Sequence, residues 1–281
     1  MTHIIAITNE KGGVGKTTTA VHLACGIRRF TNASVLVVDI GPQANTSSRF
    51  MPKGFVEMTD YQNEPSILDV LVDGYPMGEA LYSVYLDTDL GENSETIDIL
   101  PAKLSLNDAR DALVSKPRRE YLLADAFLKF ERSISEDDAY DFIIIDCPPS
   151  KDDFNRNALV VSTHILVPFM PGKNNLAGIA TLQASIQEAN ELQMLNRQSP
   201  TNVLGTVITI ANLQTKLFRD AQRIIEAQTN YPILGVIPRL VAIEEAEAAH
   251  SDVFVYRPKS KGAAAYRQLV DNVLSAVGYH S

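Results

Sequence analysis

Short runs of apolar, mostly β-branched residues alternate along this chain with longer segments of helical periodicity. Within the short runs nearly every position is apolar, which is typical of strands covered on both faces by helices. Strands are predicted at residues 4–8, 35–39, 96–100, 142–146, 165–169, 203–210 and 233–237. Because the runs recur in strand–helix alternation, they predict βαβ units and a mainly parallel sheet.

Between these strands, apolar residues recur at spacings of three and four, which predicts amphipathic helices. The predicted helices cover residues 17–30, 118–130, 176–192, 217–228 and 263–277. The pattern therefore indicates an α/β fold with a doubly wound, mainly parallel sheet and helices on both faces. We expect one domain over residues 1–281.

Residues 51–95 depart from this alternation. They contain scattered glycines and prolines and the acids Asp87, Asp89, Glu92 and Glu95. We interpret the segment as a peripheral excursion of solvated surface, with short helices around residues 66–72 and 79–86.

A glycine-rich loop follows the first predicted strand and leads into a helix. Residues 9–18 read Asn-Glu-Lys-Gly-Gly-Val-Gly-Lys-Thr-Thr. Gly12, Gly13 and Gly15 allow backbone conformations that residues with a Cβ avoid. The N–H groups of such a loop, together with the helix N-terminus, can surround a phosphate. The context of strand, loop and helix predicts a P-loop.

The polar residues of this loop fit a nucleotide and its metal ion. Lys16 is expected to reach the β- and γ-phosphates, and the hydroxyl of Thr17 to bind Mg²⁺, which prefers oxygen ligands. The predicted nucleotide-binding residues of the loop are Lys11, Gly12, Gly13, Val14, Gly15, Lys16, Thr17 and Thr18. ATP with Mg²⁺ is the expected cofactor pair.

A second nucleotide motif ends the strand predicted at 142–146. There an apolar run, Phe-Ile-Ile-Ile, ends in Asp146 and is followed by Cys-Pro-Pro-Ser. A carboxylate at the end of a parallel strand, downstream of a P-loop, has the Walker B arrangement. Asp146 and Thr17 are therefore the predicted metal-binding residues.

The loop departs from the ordinary P-loop pattern, which has glycine where Glu10 stands. The sequence that begins at Lys11, Lys-Gly-Gly-Val-Gly-Lys-Thr-Thr, resembles the deviant Walker A motif of the ParA/MinD family of ATPases, and the chain is most similar to the ParA/Soj-type partition proteins. The resemblance implies a homodimer with two ATP molecules at its interface. It also implies that Lys11 crosses to the partner's nucleotide and acts with Lys16 in catalysis, as an arginine finger does.

Residues 37–45, Val-Val-Asp-Ile-Gly-Pro-Gln-Ala-Asn, resemble the switch segment of the same family, through Asp39, Gly41, Pro42 and Gln43. In the family a second aspartate, which positions or deprotonates the attacking water, stands where this chain has Gly41. Losing such a group costs about 10²–10⁴-fold in rate. We therefore expect ATP binding and dimerisation with slow or no turnover. The sequence leaves open whether Gly41 is natural or a change that traps the ATP state.

The resemblance also implies contacts to the base and to DNA. Asn212, Pro238 and Arg239 are expected beside the nucleotide base. ParA proteins bind DNA without sequence preference through basic residues. The candidates here are Arg257, Lys259, Lys261 and Arg267, with a second group at Lys216, Arg219 and Arg223. The resemblance further implies a ParB-like or cargo-bound partner that activates hydrolysis.

The composition limits which of these functions are compatible with the sequence. The net charge of −9 argues against indiscriminate coating of nucleic acid, but a local basic patch remains compatible with it. Two cysteines, Cys25 and Cys147, are expected to be buried thiols, and they lack the pattern of the iron-protein branch that binds a cluster.

The ends of the chain bear on location and partners. No signal peptide and no helix-turn-helix extension precede the first strand, so we expect a cytoplasmic, nucleoid-associated protein without operator recognition. The last predicted helix lacks a basic amphipathic tail, which disfavours a MinD-like membrane regulator. A non-hydrolysing, ATP-gated scaffold remains the second alternative.

Overall fold

The core of the fold is one mixed sheet. In the computed structural model, which describes residues 2–58, 61, 63–86, 95–104, 109–172, 175–196 and 198–279, the sheet has eight strands. In chain order they are β1 (His3–Ile7), β2 (Val35–Asp39), β3 (Tyr82–Tyr85), β4 (Thr96–Leu100), β5 (Phe142–Asp146), β6 (His164–Phe169), β7 (Asn202–Ala211) and β8 (Ile233–Pro238). Their spatial order is β3-β4-β2-β5-β1-β6-β7-β8, and every neighbouring pair is parallel except β3 with β4. The predicted doubly wound sheet is confirmed.

Helices connect the parallel strands. They are α1 (Lys16–Phe30), α2 (Ser47–Phe50), α3 (Ala109–Val114), α4 (Leu122–Glu131), α5 (Asp153–Val161), α6 (Asn175–Leu195), α7 (Lys216–Gln228), α8 (Val241–Ala248), α9 (Val253–Tyr256) and α10 (Lys261–Val277). Each predicted helix outside residues 51–95 is present. The one predicted at 118–130 begins later, because residues 119–121 form a 3₁₀ turn before α4.

The two faces of the sheet are covered by different helices. In β1, Ile4 and Ala6 pack on one face with residues of α4, α5 and α6, whereas Ile5 and Ile7 pack on the other face with residues of α1 and α10. Because both faces are covered, nearly every position of the central strands is buried. This burial explains the continuous apolar runs in the sequence.

The excursion at residues 51–95 is more structured than predicted. The helix predicted at 79–86 is wrong, since a 3₁₀ turn (Met77–Ala80) leads directly into β3. Strand β3 alternates between half-buried and exposed residues, and it pairs antiparallel with β4 at the edge of the sheet. Residues 67–73 are helical as predicted, with a π-helical turn at Asp69–Asp73. Phe55, Ile67 and Leu71 are buried, so part of this segment is core rather than solvated surface. Asp87, Asp89 and Glu92 lie outside the described residues.

A buried histidine joins α1 to α10. The ring of His22 stacks on Tyr266 with 4.4 Å between ring centroids. Its Nδ1 lies 2.8 Å from the carbonyl oxygen of Thr18, whereas Nε2 has no hydrogen-bond partner among the described residues. Burial lowers the pKa of His22 below its ordinary value, although Asp252 and Glu247 oppose the shift. The native protein therefore holds this ring neutral.

We expect the free energy of unfolding to decrease as the pH falls below about 6.5, the ordinary pKa of histidine. The unfolded chain binds a proton on His22 that the native chain excludes, which makes a slope of at most about 1.4 kcal/mol per pH unit for this group. Urea unfolding of the protein and of the His22→Phe variant, repeated across this pH range, measures the slope. Burial also lowers the pKa of His3 and His164, so a slope remains in the variant. An unchanged slope in the variant would contradict the assignment to His22.

Candidate functional site

A cavity of about 750 Å³ opens where β1, β2 and β5 end. Ligands of doubly wound folds bind at this edge of the sheet, beyond the carboxyl ends of the strands. Most residues predicted for the phosphates, the metal ion and the switch line this cavity: Gly12, Gly13, Gly15, Lys16, Thr17, Thr18, Asp39, Gly41, Pro42, Gln43 and Asp146. The fold thus brings three separate sequence segments together in one site.

The glycine loop has the backbone that its sequence predicts. Gly13 and Gly15 have φ angles of +70° and +78°, in the left-handed region that favours glycine. Gly15 immediately precedes α1, so the first N–H groups of that helix face the cavity edge. Val14 is buried, and its carbonyl oxygen accepts a 2.7 Å hydrogen bond from Oγ1 of Thr209 in β7. The loop is therefore attached to a second strand.

Lys16 lies across the mouth of the loop. Its ammonium donates a 3.0 Å hydrogen bond to the carbonyl oxygen of Lys11, and the side chain is buried. Burial lowers the pKa of Lys16, whereas the nearby Asp146 carboxylate opposes the shift. Since an ammonium has three N–H donors, further donors remain for phosphate oxygens.

Thr17 and Asp146 form an oxygen-rich corner that fits a magnesium ion. Oδ2 of Asp146 accepts 2.7 Å hydrogen bonds from the hydroxyls of Thr17 and Thr46. Oδ1 of Asp146 is buried and has no hydrogen-bond partner among the described residues. A buried carboxylate oxygen without a donor is costly unless a cation binds it. Burial raises the pKa of Asp146, and the two threonine hydroxyls and Lys16 oppose this. The residues present therefore fit Mg²⁺.

Asp39 performs a different task from Asp146, although the two lie opposite each other in neighbouring strands. Oδ1 of Asp39 accepts a 3.0 Å hydrogen bond from the backbone N–H of Gly41. Oδ2 accepts bonds of 2.8 and 2.7 Å from the N–H and hydroxyl of Ser47, the first residue of α2. Burial and the charge of Asp146 raise the pKa of Asp39. Both oxygens are engaged, so Asp39 positions the switch segment.

Gly41 leaves the switch segment without a carboxylate at the position where the resemblance leads us to expect one. A Cβ built on Gly41 would lie 3.2 Å from Oδ1 of Asp39, which is a tight contact but one that a small shift relieves. The acidic residues that line the cavity are Asp39, Asp146 and Glu247. Both oxygens of Asp39 are engaged, and Asp146 belongs to the metal corner.

A smaller cavity of about 190 Å³ adjoins the large one. Pro238 and Arg239, which the sequence predicts beside the base, line it together with apolar residues such as Ile237 and Ile243. A flat aromatic base fits such an apolar slot. Asn212 lines neither cavity. It is exposed, and its Oδ1 accepts a hydrogen bond from the N–H of Gln214.

Lys11 stands at the rim rather than in the cavity lining. Its backbone is fixed at both ends, because its N–H donates to Oδ1 of Asn9 at 2.9 Å and its carbonyl accepts from Lys16. The neighbouring Glu10 accepts a 2.7 Å hydrogen bond from the hydroxyl of Ser185 in α6. The ammonium of Lys11 has no hydrogen bond or ion pair with the described residues. A fixed backbone with an unengaged cation suits contact with a second molecule.

The residues predicted to bind DNA fall into engaged and unengaged groups. Arg257 pairs with Glu245 at 3.2 Å, and Arg267 pairs with Asp271 at 3.1 Å. Three exposed cations of α7 share one face at spacings of three and four: Lys216, Arg219 and Arg223. Lys259, Lys261 and these three have no ion pair with the part of the chain that the structure describes.

Several cavity residues were not predicted from the sequence. Arg49 of α2 and Glu247 of α8 line the large cavity and pair with each other at 3.4 Å. Their local sequence carries no signal, since each reads as a charged position on a helix surface. Ile210 lines both cavities and has a φ angle of +51°, an uncommon conformation for a β-branched residue.

Two further observations concern the cysteines and the length of the helices. Cys25 and Cys147 are buried and free, as predicted. Within the described ranges, no helix combines the length and apolar character needed to span a bilayer.

Comparison with known proteins agrees with this geometry. A family model described as an AAA domain matches residues 2–198. The sporulation initiation inhibitor protein Soj of Bacillus subtilis is 32% identical over 279 residues, covering 97% of this chain and 98% of Soj. The chromosome partitioning protein ParA of Caulobacter vibrioides is 30% identical over 278 residues, covering 97% and 94%. Among solved structures, cobyrinic acid a,c-diamide synthase from Mycobacterium smegmatis with bound ADP and magnesium has a TM-score of 0.75 at 26% identity, covering 99% of this chain and 96% of that one.

Proposed function

Since the chain belongs to the ParA/MinD family of P-loop ATPases, we propose that it is a ParA-type partition or positioning protein that forms an ATP-bridged dimer. ATP and Mg²⁺ are its cofactors, and ATP hydrolysis is the activity of its family. In the dimer state the protein binds DNA without sequence preference and positions a plasmid, a chromosome or a protein assembly. A ParB-like or cargo-bound partner stimulates release.

One observation supports the proposal: the residues predicted to bind the phosphates and the metal ion converge on one cavity, whereas the described switch residues include no unengaged carboxylate. The glycine loop, Lys16, Thr17 and Asp146 converge on one cavity. Gly41 has no side chain. Both carboxylate oxygens of Asp39 already accept hydrogen bonds, one oxygen from Gly41 and the other from Ser47. Bound Mg²⁺ supplies charge neutralisation for the phosphates. The site therefore holds ATP well and activates water poorly.

The unengaged side chain of Lys11 supports a dimer. A lysine whose ammonium pairs with none of the described residues, on a backbone held by Asn9 and Lys16, can reach a phosphate across an interface. Such a cation neutralises the transferring phosphoryl group. It also makes the dimer depend on ATP, because two lysines without a nucleotide between them repel each other.

The exposed basic residues proposed to contact DNA differ in whether an acidic neighbour neutralises them. Arg257 and Arg267 are partly neutralised by their acidic neighbours. Lys259, Lys261 and the three cations on α7 are exposed and have no such partner within the described ranges. Unpaired cations release more counterions when they contact phosphates. We therefore assign the main DNA contacts to α7 and to the Lys259–Lys261 pair.

We expect the protein with ATP and Mg²⁺ to bind unrelated duplexes with similar affinity, and to lose binding steeply as salt rises. The double variants Arg219→Ala/Arg223→Ala and Lys259→Ala/Lys261→Ala should each weaken binding by about 10-fold and lower the salt slope by about two. Fluorescence anisotropy with two unrelated sequences across salt measures both quantities.

The matched control is Arg267→Ala, whose cation is already paired with Asp271 and stacked over Phe30 at 3.7 Å. It should change DNA affinity less than either double variant. Salt-independent binding, or no binding by an ATP-bound dimer, would contradict the DNA part of the proposal.

A second candidate function is a non-hydrolysing scaffold gated by ATP, and Gly41 favours it. The two candidate functions differ in the rate of ATP hydrolysis after a partner is added. A positioning ATPase hydrolyses ATP faster with the partner, and a scaffold does not. A MinD-like membrane regulator fits less well, because α10 buries Tyr266, Leu269 and Val270 in the core. These residues are engaged within the protein and do not form a free apolar face.

A further inference from the structure

Glu247 lies where the two cavities meet. The residues that line both cavities are Gly15, Thr18, Ile210 and Glu247. Glu247 carries the only charge among these four. A nucleotide with its phosphates in the large cavity and its base in the small one must place its sugar at this junction.

The Glu247 carboxylate is held in place from two sides. Its Oε1 accepts a hydrogen bond from the hydroxyl of Thr18, the last residue of the phosphate loop, and lies 3.4 Å from Nη2 of Arg49. Nη1 of Arg49 also donates to the backbone carbonyl of Glu247. Oε2 has no hydrogen bond or ion pair with any residue that the structure describes. The carboxylate is thus oriented, and one of its oxygens remains available.

The chemistry of the nucleotide selects a partner for this oxygen. Phosphates accept hydrogen bonds and repel a carboxylate, and the small cavity offers an apolar slot to the base. The sugar is the part of ATP that carries neighbouring hydroxyl donors, and a carboxylate accepts from two donors readily. Arg49 also matters here, because it offsets the charge of Glu247 next to the triphosphate.

We propose that Glu247 binds the 2′- and 3′-hydroxyls of the nucleotide's ribose and makes the site select ribonucleotides over deoxyribonucleotides. The inference rests on the proposed position of the base in the smaller cavity. Arg49 and Thr18 orient Glu247 for this contact. A 2′-deoxynucleotide offers the oriented carboxylate one donor fewer and a 2′,3′-dideoxynucleotide offers none, and each loss costs binding free energy.

The test compares the affinities of ATP, 2′-deoxy-ATP and 2′,3′-dideoxy-ATP, each with Mg²⁺, by calorimetry. We expect the protein to bind ATP at least about 10-fold more tightly than 2′,3′-dideoxy-ATP, with 2′-deoxy-ATP between them. Glu247→Ala should bind all three with nearly equal affinity. Glu247→Gln keeps the shape with one acceptor fewer, and should show a reduced preference. Glu245→Ala, on the same helix but outside both cavities, should keep the full preference.

Equal affinity of the unaltered protein for ATP and 2′,3′-dideoxy-ATP would overturn the inference without any variant. A full preference retained in Glu247→Ala would also overturn it. Both results leave nucleotide binding intact, so they are distinct from failure of the proposed function. Failure of the folded protein to bind ATP at all would overturn both.

Discussion

Gly41→Asp is expected to raise the steady-state rate of ATP hydrolysis by about 10²–10⁴-fold, the range for restoring a general base or water-positioning group. The new carboxylate enters at the cavity edge, on a backbone that Asp39 already holds through the Gly41 N–H. Its Cβ comes within 3.2 Å of Oδ1 of Asp39, so a shift of a few tenths of an ångström accompanies the change. A steady-state phosphate-release assay measures the rate.

Gly41→Asn is the matched control. It has nearly the same shape and makes the same Cβ contact, but its amide cannot accept a proton from water at neutral pH. It should leave the rate close to that of the unaltered chain. Rapid hydrolysis by the unaltered chain would contradict the assigned role of position 41, and an equal gain from Asp and Asn would contradict proton transfer from water to this residue.

Replacing the two lysines of the phosphate loop separately should produce different losses. Lys16→Ala should weaken ATP binding by about 100-fold or more, since it removes a buried cation that we propose as a direct phosphate ligand. Lys11→Ala should leave the ATP affinity of the monomer within a few-fold but abolish the ATP-dependent dimer. Calorimetry at low protein concentration and sedimentation at high concentration measure the two properties.

Each lysine variant serves as the control for the other, because both keep the loop glycines intact. Lys16→Ala also removes the hydrogen bond to the Lys11 carbonyl, so its fold must be checked by circular dichroism. A dimer that forms with ATP in Lys11→Ala would show that this lysine does not contact the partner's nucleotide.

The sheet was predictable because its central strands are buried on both faces. Residues of β1, β2 and β5 are apolar at nearly every position, so each strand is visible in the sequence by itself. Strand β3 was missed for the opposite reason. It is a four-residue edge strand whose residues alternate in burial, and it exists through its pairing with β4. A short pattern of this kind does not distinguish a strand from a helical turn.

The phosphate side of the site was predictable because its chemistry is local. Six of the eight consecutive residues from Lys11 to Thr18, together with the strand-ending Asp146, line the large cavity. The place where the two cavities meet was not predictable, because it depends on contacts between segments that are distant in the sequence. Thr18 and Glu247 are 229 residues apart, and Arg49 and Glu247 are 198 apart. No spacing rule links such positions.

Asn212 lies outside both cavities, and its contact with the base stays a prediction. Its place after an apolar run suggested a strand-ending residue beside the base. Strand β7 ends at Ala211, and Asn212 begins a turn in which its side chain accepts from the backbone of Gln214. The tendency of asparagine to bond its own backbone in turns explains this outcome. Pro238 is the last residue of β8, Arg239 follows it, and both line the smaller cavity.

The bonds from Asp39 to Gly41 and Ser47 set the shape of the switch loop from residue 39 rather than from residue 41. Position 41 contributes only its backbone N–H to this arrangement, and any residue other than proline supplies that group. The lifetime of the ATP state can therefore change through one side chain while nucleotide affinity and fold stay constant. In a positioning system this lifetime is the interval between loading and release. Under the proposed function, we expect the residue at position 41 to set the length of this interval.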